Sequence, residues 1–236
     1  MKSFKIALAQ SSPYIGNIES NVQKMIALAN DAKKQQANLI VFPELSTIGY
    51  PAEDLLLRPS LSKRMTQAFE QLSQVKDIVM VFGFVNQNET GQRFNSAAVM
   101  KDGQILGIYN KQNLPNYSVF DEKRYFEQGH QHLVFEYLGH KFGVLICEDL
   151  WSVATVQQLA QLNVDSILVL NASPYEVGKP QHRIEAIQAL IKQFNINVVY
   201  SNQVGGQDDL IFDGSSFVIN RDSEVALRAP SFTEGL

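Results

Sequence analysis

Cys147 is the residue whose chemistry stands out, because it is the only cysteine among 236 residues. It ends the apolar stretch GVLIC (143–147), and two acids, Glu148 and Asp149, follow it directly. A thiol attacks a carbonyl carbon efficiently only as the thiolate, so it needs a base nearby to take its proton. A cysteine at the end of an apolar stretch is therefore a candidate nucleophile presented at the end of a strand, and the two carboxylates after it can line a substrate pocket.

Two other apolar stretches also end in polar residues. VFPE ends in Glu44, and IYNK ends in Lys111. A buried glutamate with a raised pKa can accept a thiol proton. A lysine ammonium and the backbone N–H of Glu148 can stabilise the negative charge that develops on an attacked acyl oxygen. Because strand ends on one side of a sheet can converge on a crevice, we interpret Glu44, Lys111 and Cys147 as the base, the oxyanion-binding cation and the nucleophile of an acyl-transfer site.

Each of the three residues also has a structural interpretation without catalysis. A lone cysteine is commonly a small buried hydrophobic residue. Glu44 could cap a helix, and Lys111 could be a solvated surface residue. The spacing of the three residues does not by itself decide between these interpretations.

The hydrophobic pattern predicts the strands that would present these residues. The predicted strands cover residues 5–10, 37–44, 77–85, 95–100, 104–111, 132–137, 141–147, 166–173, 197–204, 215–220 and 224–229. The turn at 101–103 and Gly139 each predict a hairpin. The stretch at 37–44 is almost continuously apolar, so we expect it to be covered on both faces.

The helical pattern predicts four helices. They cover 18–32 after a cap at Asn17, about 61–75, about 153–163 after a cap at Ser152, and a segment with Pro180 in its first turn. In the last helix, one face carries Ile184, Ile187, Leu190, Ile191 and Phe194. Helices alternate with strands in some parts of the chain and hairpins occur in others. This order predicts an α/β fold with two mixed sheets packed face to face and helices outside.

Composition restricts the class of protein. With 45% hydrophobic and 19% charged residues, the chain is of ordinary globular composition, and we expect one domain over 1–236. The net charge of −4 is spread along the chain, so no nucleic-acid partner is indicated. No segment approaches the ~20 apolar residues of a membrane span. A single cysteine cannot form an internal disulfide, which suits a cytoplasmic protein, and His130 and His132 lack the further ligands that would predict a metal site.

The amino-acid sequence around the candidate residues resembles that of one family. The relevant stretches are FPELSTIGYPAEDLLLRP (42–59), NKQNLPNYSVFDEKRYF (110–126), ICEDLW (146–151), NASPYEVGK (171–179) and SNQVGGQDDLIFDGSSF (201–217). They are similar to the glutaminase domain of glutamine-dependent NAD synthetase, within the nitrilase superfamily, over essentially the whole chain. LPNY…FDEKRYF and VGGQDDLIFDG together indicate this branch of the superfamily.

The resemblance implies a four-layer α-β-β-α sandwich whose Glu–Lys–Cys triad corresponds to Glu44, Lys111 and Cys147. It also implies that Glu122 is a second, supporting glutamate. Residues matching those that hold glutamine in similar domains are Tyr117, Glu148, Trp151, Ser173 and Lys179. In this interpretation Lys179 pairs with the substrate carboxylate and Glu148 favours its α-ammonium group.

The function implied by the resemblance is hydrolysis of L-glutamine to supply ammonia to a synthetase domain that converts deamido-NAD to NAD. We expect that synthetase domain, with its SGGxDS nucleotide loop, to be absent from this chain. VGGQDD (204–209) matches that loop at only three residues, and we interpret it as an active-site loop of the glutaminase. No cofactor is expected for the glutaminase reaction, because Cys, Glu and Lys suffice for amide hydrolysis. ATP and Mg would belong to the synthetase domain. Members of the superfamily commonly pair, so we expect at least a dimer.

Two other functions remain open at this point. The chain could be a stand-alone amidase of the same superfamily that acts on another small amide. It could also be a catalytically silent interaction subunit, although the intact Glu–Lys–Cys set argues against that. Ammonia release from glutamine compared with other amides would separate the first alternative from the glutaminase.

Overall fold

The computed structural model describes residues 4–236; residues 1–3 of the predicted domain lie outside the described part. In chain order the strands are β1 (Ile6–Leu8), β2 (Leu39–Val41), β3 (Val79–Gln87), β4 (Arg93–Lys101), β5 (Gln104–Asn110), β6 (Leu133–Tyr137), β7 (His140–Ile146), β8 (Ser166–Asn171), β9 (Asn197–Asn202), β10 (Val204–Gln207), β11 (Leu210–Asp213), β12 (Phe217–Ile219) and β13 (Val225–Arg228). All the predicted strands are present, and most are shorter than predicted.

Two mixed sheets contain eleven of these strands. The first sheet has the order β1-β2-β3-β4-β5, and the second has the order β13-β12-β9-β8-β7-β6. In the first sheet, β1, β2 and β3 pair in parallel, and β3, β4 and β5 form an antiparallel meander. In the second sheet, β7, β8 and β9 are parallel. Strand β6 pairs antiparallel with β7, β12 pairs antiparallel with β9, and β13 pairs antiparallel with β12. Both hairpins predicted from the turns, β4–β5 and β6–β7, are confirmed.

Four α-helices accompany the sheets: α1 (Ile18–Lys34), α2 (Leu61–Leu72), α3 (Val153–Gln161) and α4 (Lys179–Ile191). Asn17 caps α1 by accepting a hydrogen bond from the backbone N–H of Ser20 at 3.3 Å. Ser152 caps α3 in the same way, through the N–H of Thr155. Pro180 lies in the first turn of α4, as predicted. None of the helices in residues 4–236 combines the length and the apolar character that a membrane crossing requires.

The two sheets pack face to face, with helices on the outside, which confirms the predicted four-layer architecture. Strand β3 illustrates this arrangement through its alternating side chains. Val79 and Val81 belong to a core that also contains side chains of the second sheet, α3 and α4. Met80 and Phe82 point the other way, into a cluster with α1 and α2. The first sheet is therefore covered on both faces at β3, as expected for the parallel parts of such sheets.

Three elements differ from the expectations. Helix α2 ends at Leu72 rather than near residue 75, and α4 ends at Ile191, so Phe194 packs against the core from beyond the helix. VGGQDD (204–209) is not an irregular loop, because β10 and β11 form an antiparallel ribbon with Asp208 and Asp209 at its turn. A strand rather than a helix follows this turn, which argues against a phosphate-binding loop.

Hydrogen bonds to Gln10 attach the end of the described chain to the fold. Gln10 and Gly235 form an antiparallel bridge, with both N–O distances at 3.0 Å. The side-chain amide of Gln10 also donates to the carbonyls of Pro230 and Thr233, each at 2.7 Å. These bonds hold the last residues beside β1.

Gly83 lets the segment that follows β2 pass very close to β3. A Cβ atom at Gly83 would lie 2.1 Å from the backbone nitrogen of Leu45. The segment is held there by the N–H of Thr47, which donates to the Gly83 carbonyl at 3.1 Å. The hydroxyl of Ser46 accepts from the Gly83 N–H at 3.2 Å. Only glycine allows this approach, and the approach determines where Glu44 lies.

We predict that Gly83→Ala lowers the free energy of unfolding by about 1–3 kcal/mol, because the added methyl group must push backbone aside in a packed interior. Gly206→Ala is the matched control, since its added methyl group would meet only the Leu210 carbonyl oxygen at 3.6 Å. The control should change stability by less than about 1 kcal/mol. Chemical denaturation of both variants tests this, and equal stabilities would contradict the proposed close approach.

Candidate active site

Glu44 lies in the segment after β2, with its carboxylate held from several directions. It is 1% exposed. Its Oε1 accepts a hydrogen bond from the side-chain amide of Asn95 at 2.7 Å. Its Oε2 accepts from the backbone N–H of Ala172, which follows β8 in the second sheet, at 3.1 Å. The base candidate is therefore fixed by contacts to both sheets.

Lys111 follows β5 and lies between two buried carboxylates. Its ammonium Nζ is 2.7 Å from Glu44 Oε1 and 2.7 Å from Glu122 Oε1. Glu122 opens a short 3₁₀ helix (Glu122–Arg124), and its Oε1 also accepts from the hydroxyl of Tyr50 at 2.8 Å. The backbone N–H of Lys111 donates to the carbonyl of Asn95 at 2.8 Å. The structure thus brings the side chains of Glu44, Lys111 and Glu122 into one buried cluster.

Cys147 opens a 3₁₀ helix (Cys147–Trp151) directly after β7. Its backbone φ is 43°, in the left-handed region that non-glycine residues rarely adopt. Such conformations cost about 1–3 kcal/mol and are concentrated at functional sites. The sharp turn ends the strand at the thiol, and the N–H of Glu148 falls in the first turn of the helix, where backbone donors lack intrahelical partners.

The electrostatics of the cluster keep the thiol protonated and the lysine charged at rest. Burial and Glu44 raise the pKa of Cys147 well above its ordinary value, and Lys111 offsets this only in part. Burial alone lowers the pKa of Lys111, but Glu122 and Glu44 outweigh it and leave that pKa well above its ordinary value. Burial raises the pKa of Glu122 to about 7, although Lys111 acts in the opposite direction. Formation of the thiolate therefore requires proton transfer to a neighbouring carboxylate.

Tyr117 and Glu148 form a second group near the nucleophile. The hydroxyl of Tyr117 donates to the Glu148 carboxylate, at 3.1 Å from each oxygen. Burial and Glu148 raise the pKa of Tyr117 to about 12. The Tyr117 side chain is 56% exposed and that of Trp151 is 39% exposed. A cavity of about 410 Å³ lies beside residues 112–117 and is lined by both Tyr117 and Glu148.

Ser173 and Lys179 have different surroundings. Ser173 is buried after β8, and its hydroxyl accepts a hydrogen bond from Arg183 Nη2 at 3.2 Å. Arg183 is itself buried and pairs with Asp213, with its Nη2 3.3 Å from Oδ1. Lys179 begins α4, and its ammonium Nζ lies 3.4 Å from Glu176 Oε1. The structure thus ties Ser173 into the fold and leaves Lys179 in a weak, partly exposed pair.

Several residues of this region were not predicted from the sequence. Tyr50, Asn95 and Arg183 contact Glu122, Glu44 and Ser173, respectively. Asp149, expected to line a substrate pocket with Glu148, is instead buried and accepts hydrogen bonds from the segment after Lys111, a role that the sequence does not indicate. Polar residues inside or beside apolar strands are the only signal that could have indicated them, and that signal does not identify their partners.

A second cavity lies away from these groups. Its volume is about 560 Å³, and its lining includes residues of β1 and β13 together with the last residues of the chain. Its lining contains none of Glu44, Lys111 and Cys147. The lining of the smaller cavity does not contain these three residues either, but it includes Gln112, directly after Lys111, and Glu148, directly after Cys147. The smaller cavity is therefore the better candidate for the entrance to the site.

Comparison with known proteins identifies the relatives of this chain. The family model described as carbon-nitrogen hydrolase matches residues 5–236. A glutamine-dependent NAD(+) synthetase of Acinetobacter baylyi is 75% identical over the whole chain, and one of Thermotoga maritima is 41% identical over 99% of it. The chain spans 44% and 41% of the lengths of these two relatives.

Solved structures agree with this relationship. The structure of glutamine-dependent NAD+ synthetase from Acinetobacter baumannii in complex with adenosine diphosphate matches 99% of the chain with a TM-score of 0.98 and 76% identity. The chain covers 44% of that protein. An amidase from Nesterenkonia sp. matches 98% of the chain with a TM-score of 0.89 at 24% identity, and the chain covers 88% of it. The amidase shares the fold, which confirms the sandwich of the nitrilase type.

We predict that the stability of the chain falls between pH 4.5 and pH 7 because of Glu122. The pKa of Glu122 is about 7 in the folded chain, against an ordinary value of 4.5. In this interval the folded chain holds the Glu122 proton more tightly than the unfolded chain does, so raising the pH favours unfolding. The loss should be on the order of 3 kcal/mol.

The Glu122→Gln variant isolates this effect. Its amide oxygen can still accept from Lys111 and Tyr50, but the side chain no longer titrates. Glu127→Gln, at an exposed position, is the control and should retain the pH dependence of the wild type. Urea denaturation at several pH values tests the prediction. Parallel curves for the wild type and Glu122→Gln would show that Glu122 does not titrate in this interval.

Proposed function

The chain belongs to the carbon-nitrogen hydrolase family, and we propose that it hydrolyses the side-chain amide of L-glutamine through a thioester on Cys147. One observation carries the proposal: a buried ammonium, Lys111 Nζ, lies 2.7 Å from both Glu44 and Glu122, in the cluster that sets the pKa of the only thiol. The similarity to glutamine-dependent NAD(+) synthetases, at up to 75% identity, supports glutamine as the substrate.

In the first half of the proposed reaction, Cys147 is acylated by the substrate. Glu44 accepts the thiol proton while the sulfur attacks the amide carbon, and the carbonyl π electrons move to the oxygen. The ammonium of Lys111 and the N–H of Glu148 stabilise the resulting oxyanion. Glu44 then returns the proton to the amide nitrogen, the C–N bond breaks, and ammonia leaves behind a thioester.

In the second half, water releases the acyl group. Glu44 accepts a proton from water as its oxygen attacks the thioester carbon, and the same two donors stabilise the second oxyanion. The C–S bond then breaks, the proton on Glu44 returns to the sulfur, and glutamate is released. These steps use no redox change and no bound cofactor. The neighbouring Glu122 accepts a second hydrogen bond from the Lys111 ammonium and thereby helps to hold it beside Glu44.

The substrate side of the site is proposed to recognise the zwitterionic end of glutamine. Glu148 would accept a hydrogen bond from the α-ammonium group beside the Tyr117 hydroxyl, which already donates to it. Lys179 would pair with the α-carboxylate, because its contact with Glu176 is long, at 3.4 Å, and partly exposed. Trp151 would cover the aliphatic part, and Ser173 would line the pocket from β8. Opposite charges at two points favour an amino acid over a simple amide.

The ammonia is proposed to serve a synthetase domain that converts deamido-NAD to NAD. The relatives bear the name glutamine-dependent NAD(+) synthetase and are more than twice as long as this chain, which covers 44% of the Acinetobacter baylyi protein. ATP and Mg would be used by that domain and not by the glutaminase reaction. We further propose that the enzyme is cytoplasmic and assembles as a homo-oligomer.

We predict that the chain releases ammonia from L-glutamine and that Cys147→Ala abolishes this activity. Loss of the covalent nucleophile should lower kcat by several orders of magnitude, while the small change in volume should leave the stability nearly unchanged. Coupled ammonia assays, with denaturation curves as the control for folding, test both parts. Residual turnover above about one tenth of the wild-type value would contradict the nucleophile assignment. Faster release from asparagine or a simple aliphatic amide would favour a stand-alone amidase instead.

We predict that a synthetase domain raises the glutaminase activity. Tyr117 and Trp151 are 56% and 39% exposed, so the substrate side of the pocket is open, and a partner that orders these segments would improve it. Adding a synthetase domain loaded with ATP and deamido-NAD should increase kcat/KM for glutamine about tenfold or more. The alkylation rate of Cys147 should not change, because the partner is not needed for its strand-end geometry. Equal kcat/KM with and without the domain would contradict the coupling.

A further inference from the structure

Asp149 is a buried carboxylate that the proposed reaction does not use. It is 0% exposed. Its Oδ1 accepts hydrogen bonds from the backbone N–H of Gln112 at 3.1 Å and of Asn113 at 2.7 Å, and from the Asn113 side-chain amide at 3.0 Å. Its Oδ2 accepts from the Tyr109 hydroxyl at 2.8 Å and from the N–H of Ile146 at 3.3 Å. Five donors therefore converge on one side chain.

These donors bracket two of the proposed reacting groups. Tyr109 precedes Lys111 by two residues, and Gln112 and Asn113 follow it directly. Ile146 is the residue before Cys147. Asp149 thus holds the chain on both sides of Lys111 and immediately before the nucleophile.

The two bracketed segments belong to different layers of the sandwich. Lys111 follows β5 of the first sheet, and Cys147 follows β7 of the second. Apolar packing between sheets is not directional, so it does not by itself fix the position of a single ammonium relative to a thiol. Hydrogen bonds to a carboxylate are directional and stronger than neutral ones.

A purely structural role would explain these contacts less well. Two of the five donors are backbone groups of the segment that leads from Lys111 to Tyr117, and one is the backbone group before the nucleophile. Burying a carboxylate is costly unless many donors satisfy it, and here no lysine or arginine contacts it among residues 4–236. If this position served only to hold the two segments together, an apolar side chain could do so with a smaller desolvation penalty.

We propose that Asp149 is a positioning residue that fixes the Lys111 ammonium relative to Cys147, and that it thereby determines the rate of acyl transfer rather than the affinity for substrate. The proposal rests on the function inferred above for these two residues. Lys111 and the N–H of Glu148 stabilise the oxyanion, which is absent from the bound substrate. A displacement of Lys111 relative to Cys147 therefore weakens stabilisation of the transition state more than substrate binding. A displacement of about 1 Å can cost on the order of 100-fold in rate.

The test begins with Asp149→Asn, which keeps the shape but loses one acceptor oxygen. The amide oxygen of the substituted side chain can still accept hydrogen bonds from Gln112 and Asn113. Its NH2 group would face the N–H of Ile146, and two donors cannot form a hydrogen bond with each other. We expect kcat for glutamine to fall by about 100-fold, with KM changed by less than about threefold. Asp165→Asn is the matched control, because Asp165 accepts a backbone hydrogen bond at the other end of β7, from Lys141 at 2.8 Å. It should retain wild-type kcat.

Alkylation of Cys147 by iodoacetamide gives a readout that does not depend on glutamine. The charges of Glu44, Lys111, Glu122 and Glu148 affect the pKa of the thiol. The charge of the thiolate in turn affects the pKa values of two cations and three tyrosine hydroxyls: Lys111, Arg183, Tyr50, Tyr117 and Tyr200. Removing the charge of Asp149 alone would ease ionisation of the thiol and move the alkylation profile to lower pH. Displacing Lys111 would move it to higher pH, which is the result we expect for Asp149→Asn.

The outcomes separate this proposal from the proposed function. A profile shifted to higher pH supports positioning even if the wild type hydrolyses no glutamine, in which case only the substrate assignment fails. Wild-type kcat in Asp149→Asn, or an alkylation profile that is unchanged or shifted to lower pH, overturns the positioning role. If Asp149→Asn does not fold, Tyr109→Phe decides, since it removes one of the five donors. About a fivefold loss of kcat at constant KM supports the role, and unchanged kcat overturns it.

Discussion

The arrangement of this site depends on one constraint: groups attached to two different sheets must be held close enough to act on one another. Glu44 and Lys111 follow β2 and β5 of the first sheet, and Cys147 follows β7 of the second. The apolar core holds the sheets together, but dispersion and the hydrophobic effect are not directional. At the end of the sandwich where the site lies, directional bonds cross between the sheets. Glu44 Oε2 accepts from the N–H of Ala172, and the Ser201 hydroxyl donates to the Val41 carbonyl at 3.2 Å. Such crossing bonds fix the sheets at the one place where a small displacement changes the chemistry.

The same burial that makes these bonds strong also makes the charges costly. Lys111 is 1% exposed and carries one positive charge between Glu44 and Glu122. Breaking such a buried pair leaves an uncompensated charge and commonly costs 3–5 kcal/mol. With two carboxylates and one ammonium, the cluster is balanced when one acid is neutral, and the raised pKa of Glu122, about 7, follows from burial. A neutral thiol completes this resting arrangement. In the proposed reaction the thiol loses its proton to Glu44 while the sulfur attacks the bound carbonyl.

Much of the fold and the centre of the site could be predicted from the sequence. The strands, hairpins and helix caps follow from local patterns. The structure places Glu44 and Lys111, which end predicted strands, in contact with Glu122, which the family resemblance indicated, and their catalytic roles stay predictions. What failed was of two kinds. The β10–β11 ribbon was read as a loop because VGGQ has weak strand propensity, whereas Phe212, fully buried in β11, anchors it in the core. The partners Asn95 and Tyr50 were missed because they act across 51 and 72 residues of sequence. Local pattern contains no information about a bond between such distant positions.

The site also divides into an inner part and an outer part with different physical properties. The inner groups are buried, fixed by several hydrogen bonds each, and lie beside a nucleophile in a strained backbone conformation, with φ 43° at Cys147. The groups proposed for the outer part, Tyr117, Trp151 and Lys179, are partly or largely exposed. Strain at Cys147 can persist only because the surrounding contacts outweigh it, so the inner part must be rigid before substrate arrives. The outer part has few such contacts and is free to respond to what binds there. Control of activity by a partner would therefore act most easily on the outer part, leaving the geometry of the reacting atoms unchanged.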